Sequence, residues 1–180
     1  VFFIPFAYFL FTRRLNSNLV ARLLGIFALG GLQGGMGWYM VASGLVDDPN
    51  VSQYRLTAHL GLAFLIFGAI TWTALSVLYP SKINLYTPAR SMYKASILIN
   101  LVLFIMVLSG GFVAGLRAGL IYNTFPLMGD SFIPSGLFML SPFMTNFFEN
   151  MTTVQFDHRI IAYILAGLIP VFWFKLRRRE

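Results

Sequence analysis

From Leu60 to Leu78 no side chain is charged, and the polar lead Tyr54-Arg55-Leu56-Thr57-Ala58-His59 runs directly into that stretch. A helix needs roughly 20 apolar residues to cross a bilayer core. The segment 54–78 meets that need, and so do 19–41, 96–116 and 154–174. A soluble domain of this size carries about 25% charged residues. Here only 11% are charged, so the apolar runs cannot be wrapped by a polar surface. The chain is read as all-α, a polytopic transmembrane helix bundle.

The ends sharpen the picture. Residues 1–11 are apolar and lead into Thr12-Arg13-Arg14. Eleven residues cover only about half of a bilayer core, and neither a starting methionine nor a signal-peptide charge region precedes them. The expectation is a chain that begins inside a membrane helix and is an internal fragment, with four full spans plus one half span.

Charge sets the topology. Arg13, Arg14 and Arg22, then Lys82, Arg90 and Lys94, then Lys175 and Arg177–Arg179 make alternate connections basic. The other connections hold Asp47, Asp48, Asp130 and Glu149, with Arg55 and Arg117 at their edges. Basic loops stay on the cytoplasmic or matrix side. The formal net charge of +7 therefore reports membrane orientation rather than a nucleic-acid partner. The absence of cysteine removes disulfides, thiolate ligands, iron–sulfur clusters and cysteine nucleophiles.

Phe3-Ile4-Pro5-Phe6-Ala7-Tyr8-Phe9 resembles Leu168-Ile169-Pro170-Val171-Phe172-Trp173-Phe174, and each runs into paired arginines at the same offset. This internal repeat implies two similar halves, as duplicated membrane proteins have. By that offset the counterpart of His158 would precede Val1.

The chain has two histidines, His59 and His158. Each lies within about two turns of a predicted helix start, near the outer face. Ionisable groups inside a membrane are costly and suggest function. An imidazole is a good axial ligand for haem iron; the alternative is a histidine hydrogen-bonded within the bundle or facing water. No HExxH spacing is present, which argues against a zinc enzyme. Arg159 beside His158, Arg55 one turn before His59, and Arg117 at the outer end of its span are candidate partners for haem propionates, because a guanidinium forks onto a carboxylate. Each has the alternative of solvation at the interface. Gln33, within Gly30-Gly31-Leu32-Gln33-Gly34-Gly35-Met36-Gly37-Trp38, either bonds a neighbouring helix or faces a cofactor. The glycines around it, and those of Ser109-Gly110-Gly111-Phe112-Val113-Ala114-Gly115, suit close helix approach or a flat porphyrin. The connection 120–152 is long enough to suggest a function; it covers a pocket or lies along the interface.

With these residues in view the chain resembles the haem A synthase family, in its mitochondrial and alphaproteobacterial form. The resemblance rests on Gly31-Leu32-Gln33-Gly34, Gly37-Trp38-Tyr39-Met40-Val41, Val51-Ser52-Gln53-Tyr54-Arg55-Leu56-Thr57-Ala58-His59-Leu60, Tyr122-Asn123-Thr124-Phe125-Pro126-Leu127-Met128-Gly129 and the stretch from Asn146 to Arg159. It covers essentially the whole chain. It implies a pseudo-duplicated eight-helix protein in two four-helix halves, each offering a histidine pair to a haem. Residues 1–79 would end the amino-terminal, substrate-haem half, and 80–180 would begin the carboxy-terminal, cofactor-haem half.

By that resemblance His59 is an iron ligand of the substrate haem O and carries the catalytic role, while His158 is an iron ligand of a haem b cofactor. Arg159, Arg117, Arg55 and Gln33 would complete cofactor binding. The catalytic glutamate of the family lies outside the chain, and Gln155 occupies the equivalent position before His158. The implied activity oxidises a ring methyl of haem O to the formyl of haem A for cytochrome oxidase. Implied partners are the upstream haem O synthase, an electron donor, oxidase assembly factors, the lipid bilayer and a second copy in a homo-oligomer. The implied location is the bacterial inner or the mitochondrial inner membrane, and the stretch alone is expected to be inactive. Two rivals remain: a b-type electron-transfer cytochrome without its own chemistry, and a transporter, which the lack of polar groups at midplane apart from Gln33 and Asn100 disfavours.

Overall fold

The computed structural model describes residues 2–42, 51–79 and 89–178. Asp47, Asp48, Lys82 and Arg179, and the boundary expected after residue 79, fall in or at the edge of the segments outside the described residues. A short α1 (Phe3–Phe11) precedes three long helices, α2 (Ser17–Ala42), α3 (Gln53–Leu78) and α4 (Ala89–Gly115). After a connection with two 3-10 turns come α5 (Asn146–Glu149) and α6 (Met151–Arg177). Among the described residues four helices are long and apolar enough to cross a membrane. Among the described residues there is no strand.

The helices outrun the apolar segments. Helix α4 starts seven residues before 96 and takes in Arg90 and Lys94. At about 1.5 Å per residue, 27 residues span roughly 40 Å against a core of about 30 Å, so the charged first turns reach the headgroups. Helix α6 starts at Met151 because Asn150 caps it: its Oδ1 accepts from the backbone N–H of Thr152 at 3.0 Å and of Thr153 at 3.2 Å.

The outer surface is apolar. Trp72 is 71% exposed and Phe67 65%, while the buried apolar side chains among the described residues are Ile26, Ala118, Met128, Val154 and Leu165. Water would penalise such a surface heavily; lipid does not.

Glycine decides how closely two of the helices meet. A Cβ on Gly115 would sit 2.6 Å from Gln53 Cα, and one on Gly111 would sit 2.9 Å from Thr57 Cα and 2.6 Å from Thr57 Oγ1. The backbones of α3 and α4 touch there, as small residues four apart permit. The glycines of α2 behave otherwise. Gly30, Gly31, Gly34 and Gly35 have no neighbour within 4 Å among the described residues, and only Gly37 of that group meets another element.

The connection from α4 to α6 is an ordered strap. Asn146 is fully buried. Its Oδ1 accepts from Leu140 N–H at 2.8 Å and from Asn150 Nδ2 at 3.0 Å; its Nδ2 donates to the carbonyls of Leu140 and Phe143. Asn150 Nδ2 also donates to the Gly136 carbonyl, and Thr153 Oγ1 accepts from Phe138 N–H. One turn apart on α6, Gln155, Arg159 and Tyr163 hold residues 122–127. Gln155 Nε2 donates to Tyr122 O at 2.9 Å, Arg159 to the carbonyls of Tyr122, Thr124 and Leu127, and the Tyr163 hydroxyl to Pro126 O. Irregular backbone near a membrane needs such donors, because lipid supplies none. At the far end of the strap the Tyr54 hydroxyl donates to Glu149 Oε1 at 2.8 Å, and the Tyr54, Phe112 and Phe148 rings meet edge to face or tilted.

Two outcomes are expected. Gly115→Ala forces α3 and α4 apart and should cost about 1–3 kcal/mol, seen as a lower thermal midpoint in detergent. Gly119→Ala, whose Cβ would meet only Val113 Cγ1 at 3.7 Å, should leave the midpoint in place. Asn146→Ala leaves three backbone groups unpartnered at about 1–3 kcal/mol for each one that stays buried, and amide exchange at Leu140 should accelerate at least about tenfold.

Candidate functional site

Adjacent residues of α4 fix the level of both histidines. A Cβ on Gly110 would lie 3.3 Å from His158 Cε1, and the neighbouring Gly111 lies against Thr57. Thr57 is two residues, about 3 Å of helix rise, from His59. The two imidazoles therefore occupy the same depth, but they do not share a partner. His59 of α3 faces α2, and His158 of α6 faces α4.

His158 is half-buried. Its Nδ1 lies 2.7 Å from Ser109 Oγ, and the same hydroxyl donates to Met106 O at 2.8 Å. A serine hydroxyl has one proton. With that proton on the carbonyl, Ser109 accepts from Nδ1–H, and the lone pair of the imidazole is left on Nε2. A partner on one ring nitrogen is what sets the other up as a metal ligand. The bare Cα of Gly110 clears the Cε1 edge of the ring.

His59 is arranged in parallel with different partners. A Cβ on Gly37 would lie 3.3 Å from His59 Cε1. Gln33, one turn before Gly37, places its Nε2 3.1 Å from the His59 carbonyl oxygen and 3.3 Å from His59 Nε2. A carbonyl oxygen only accepts, so it is the amide N–H2 that faces it. That amide nitrogen has no lone pair to offer, so His59 Nε2 accepts as well and its ring proton sits on Nδ1. Both His59 Nδ1 and Gln33 Oε1 are buried with no hydrogen-bond partner among the described residues, as are Thr57 Oγ1 and Gln155 Oε1.

The arginines separate. The Arg55 guanidinium stacks over the Tyr39 ring at 4.8 Å from its centroid. Arg117 is exposed and lies two residues past α4, where it precedes a 3-10 turn in the left-handed conformation, φ 53°. Arg159 has a use that sequence reasoning did not assign: Nη1 donates to Thr124 O at 2.8 Å and Leu127 O at 3.0 Å, and Nη2 to Tyr122 O at 2.8 Å. Between the strap and α6 lies a cavity of about 460 Å³ lined by Pro126, Met128, Phe132, Phe156, Arg159 and Tyr163, so the strap does cover a pocket. Among the described residues no three His, Asp or Glu side chains gather as a metal cage.

Sequence reasoning singled out His59, His158 and Gln33 but gave Ser109, Gly37, Asn146 and Asn150 no role of their own. Asn150 carried a readable signal, a capping residue just before an apolar periodic run. Ser109 and Gly37 carried none, because their partner histidines are 49 and 22 residues away in sequence; the partners of Asn146 are only three to six residues away, but they lie in irregular backbone that has no periodic pattern to read.

Fold and site define a polytopic helical membrane protein with two oriented imidazoles at one depth of the bundle. The chain belongs to the COX15-CtaA family of cytochrome oxidase assembly proteins, whose model matches residues 1–180. It is similar to the heme A synthase of Nitrosospira multiformis, 61% identical over 98% of this chain and 50% of that protein. The heme A synthase of Parvibaculum lavamentivorans is 52% identical over 98% of this chain and 51% of that protein. Heme A synthase COX15 of Arabidopsis thaliana is 42% identical over 100% of this chain and 42% of that protein. The chain thus spans about half the length of the curated relatives it matches. No solved structure matches it.

Ser109→Ala removes the acceptor for His158 Nδ1–H. In protein labelled with 15N-histidine, His158 is expected as the Nδ1–H tautomer, and in Ser109→Ala as a mixture of both. An Nε2–H tautomer in the unsubstituted protein would contradict the assignment.

Proposed function

We propose that the whole protein of which this chain represents about half the relatives' length is a haem A synthase, oxidising a ring methyl of haem O to the formyl group of haem A. The observation that carries this reading is the state of the two imidazoles. Each meets one polar side chain at a ring nitrogen, Ser109 at His158 Nδ1 and Gln33 at His59 Nε2, and each has a glycine in place of a side chain against the Cε1 edge. The buried orphans Gln33 Oε1 and His59 Nδ1 add to the case that the α2–α3 site is completed by something beyond these residues. These groups fit axial ligation of a haem.

In this reading His59 holds the iron of the substrate haem O and His158 that of a resident haem b. The haem supplies the iron chemistry when bound; this chain orients the ligands and keeps water out. Gly37 and Gly110 give the rings their room. Ser109 and Gln33 hold the tautomers. Arg55, Arg117 and Arg159 lie toward the end of the bundle where the histidines are, and are the candidate partners for propionates; Arg159 also ties the strap down. Residues 1–79 and 80–180 are the expected substrate and cofactor halves. Basic residues stay on the cytoplasmic or matrix side, so the alternation of Arg13, Arg14 and Arg22, Arg90 and Lys94, and Lys175 and Arg177 with acidic connections supports a periplasmic or intermembrane side for the histidines. An electron donor, the enzyme that makes haem O, and cytochrome oxidase assembly are the partners this activity requires, and a homo-oligomer is compatible with the exposed apolar faces.

The test is haem extraction and optical spectroscopy on the full-length protein supplied with haem O. Haem A is expected among the extracted haems. His59→Ala should abolish it and leave the haem b held at His158. Loss of both haems together would overturn the assignment of separate sites. Stoichiometric haem b alone, unchanged by substrate, would favour the electron-transfer cytochrome.

A further inference from the structure

The two histidines differ in one respect that the proposed activity does not explain. At His158 the polar partner, Ser109, holds Nδ1 and leaves Nε2 open. At His59 the polar partner, Gln33, holds Nε2 itself, while Nδ1 is buried without one. Metal reaches an imidazole through an unprotonated ring nitrogen. At His59 that nitrogen is Nε2, and it is already accepting a hydrogen bond.

We propose that Gln33 is an exchange-determining residue: its amide competes with iron for His59 Nε2 and makes haem at that position a transient guest, whereas Ser109 makes haem at His158 a permanent one. The inference rests on the haem reading above and assigns what makes one of its two sites exchangeable. The step is a ligand swap with no redox change. Gln33 N–H holds the His59 Nε2 lone pair in this structure; with haem bound, His59 Nε2 would hold the iron and Gln33 N–H would give up that lone pair, to recover it on release. The second hydrogen bond of the same amide, to the His59 carbonyl at 3.1 Å, keeps it in place during the swap. Gln33 therefore waits one bond away instead of swinging out. A synthase must bind haem O and release haem A at the same iron ligand, so an internal substitute for the departing metal serves turnover. A resident cofactor has no such need, and Ser109 stands on the far side of its ring.

A neutral hydrogen bond is worth a few-fold to about tenfold in an equilibrium. Removing the competitor should slow release by a similar factor. The experiment uses the full-length protein loaded with protohaem, with transfer to apomyoglobin followed optically. Wild type is expected to release its His59-dependent haem much faster than its His158-dependent haem. Gln33→Met, close in size but without an N–H donor, should slow the fast phase about three- to tenfold and leave the slow phase unchanged. Gln33→Asn, which keeps the amide but shortens its reach, should slow it as well. The slow phase also reports, in the same sample, that the variant is folded. A fast phase that is unchanged or quicker in both variants overturns the proposal and leaves the haem reading standing. A wild type in which no phase depends on His59 overturns both.

Discussion

Helix α4 touches α3 and α6 through neighbouring glycines, and the placement of both histidines follows from that contact. Gly111 and Gly115 let the α4 backbone lie against Thr57 and Gln53, and Gly110 receives the edge of His158. A side chain at any of the three would push a partner helix or ring outward. In lipid there is little hydrophobic drive to bring helices together, so close van der Waals contact of this kind carries much of the association.

The second constraint is that backbone without a helix must find donors inside the protein. The strap meets it with a few polar side chains used completely. Asn146 satisfies its neighbours with both ends of its amide, and Asn150 caps α6 while reaching Gly136. Gln155 and Arg159 donate to carbonyls 32 to 37 residues away in sequence. The start of α6, and hence His158 seven residues into it, is held by the same network that holds the strap. A charged side chain this close to lipid would be costly unless satisfied, and Arg159 is satisfied by three carbonyls.

Much of this was legible in the chain. Four apolar runs named the spans, because spanning length and hydropathy follow from bilayer thickness alone. The two histidines stood out because titratable groups in such runs are rare. Helices α4 and α6 start several residues before the apolar runs at 96 and 154, because a charged first turn and a capping asparagine extend a helix past its apolar run. The glycines of α2 were legible only as a stripe, and among the described residues Gly37 alone has found its use.

What the sequence by itself determined is the class of architecture and which side chains are chemically available: helices of spanning length, two imidazoles near helix starts, one glutamine in a long apolar run. What only the tertiary structure decided is which nitrogen of each imidazole meets a polar partner. Hydropathy and helix length are local properties of the chain. A tautomer is set by whatever atom stands about 3 Å from the ring, and here those atoms come from Gln33, 26 residues from His59, and Ser109, 49 residues from His158. No local pattern carries that information, because it arises only when the helices cross.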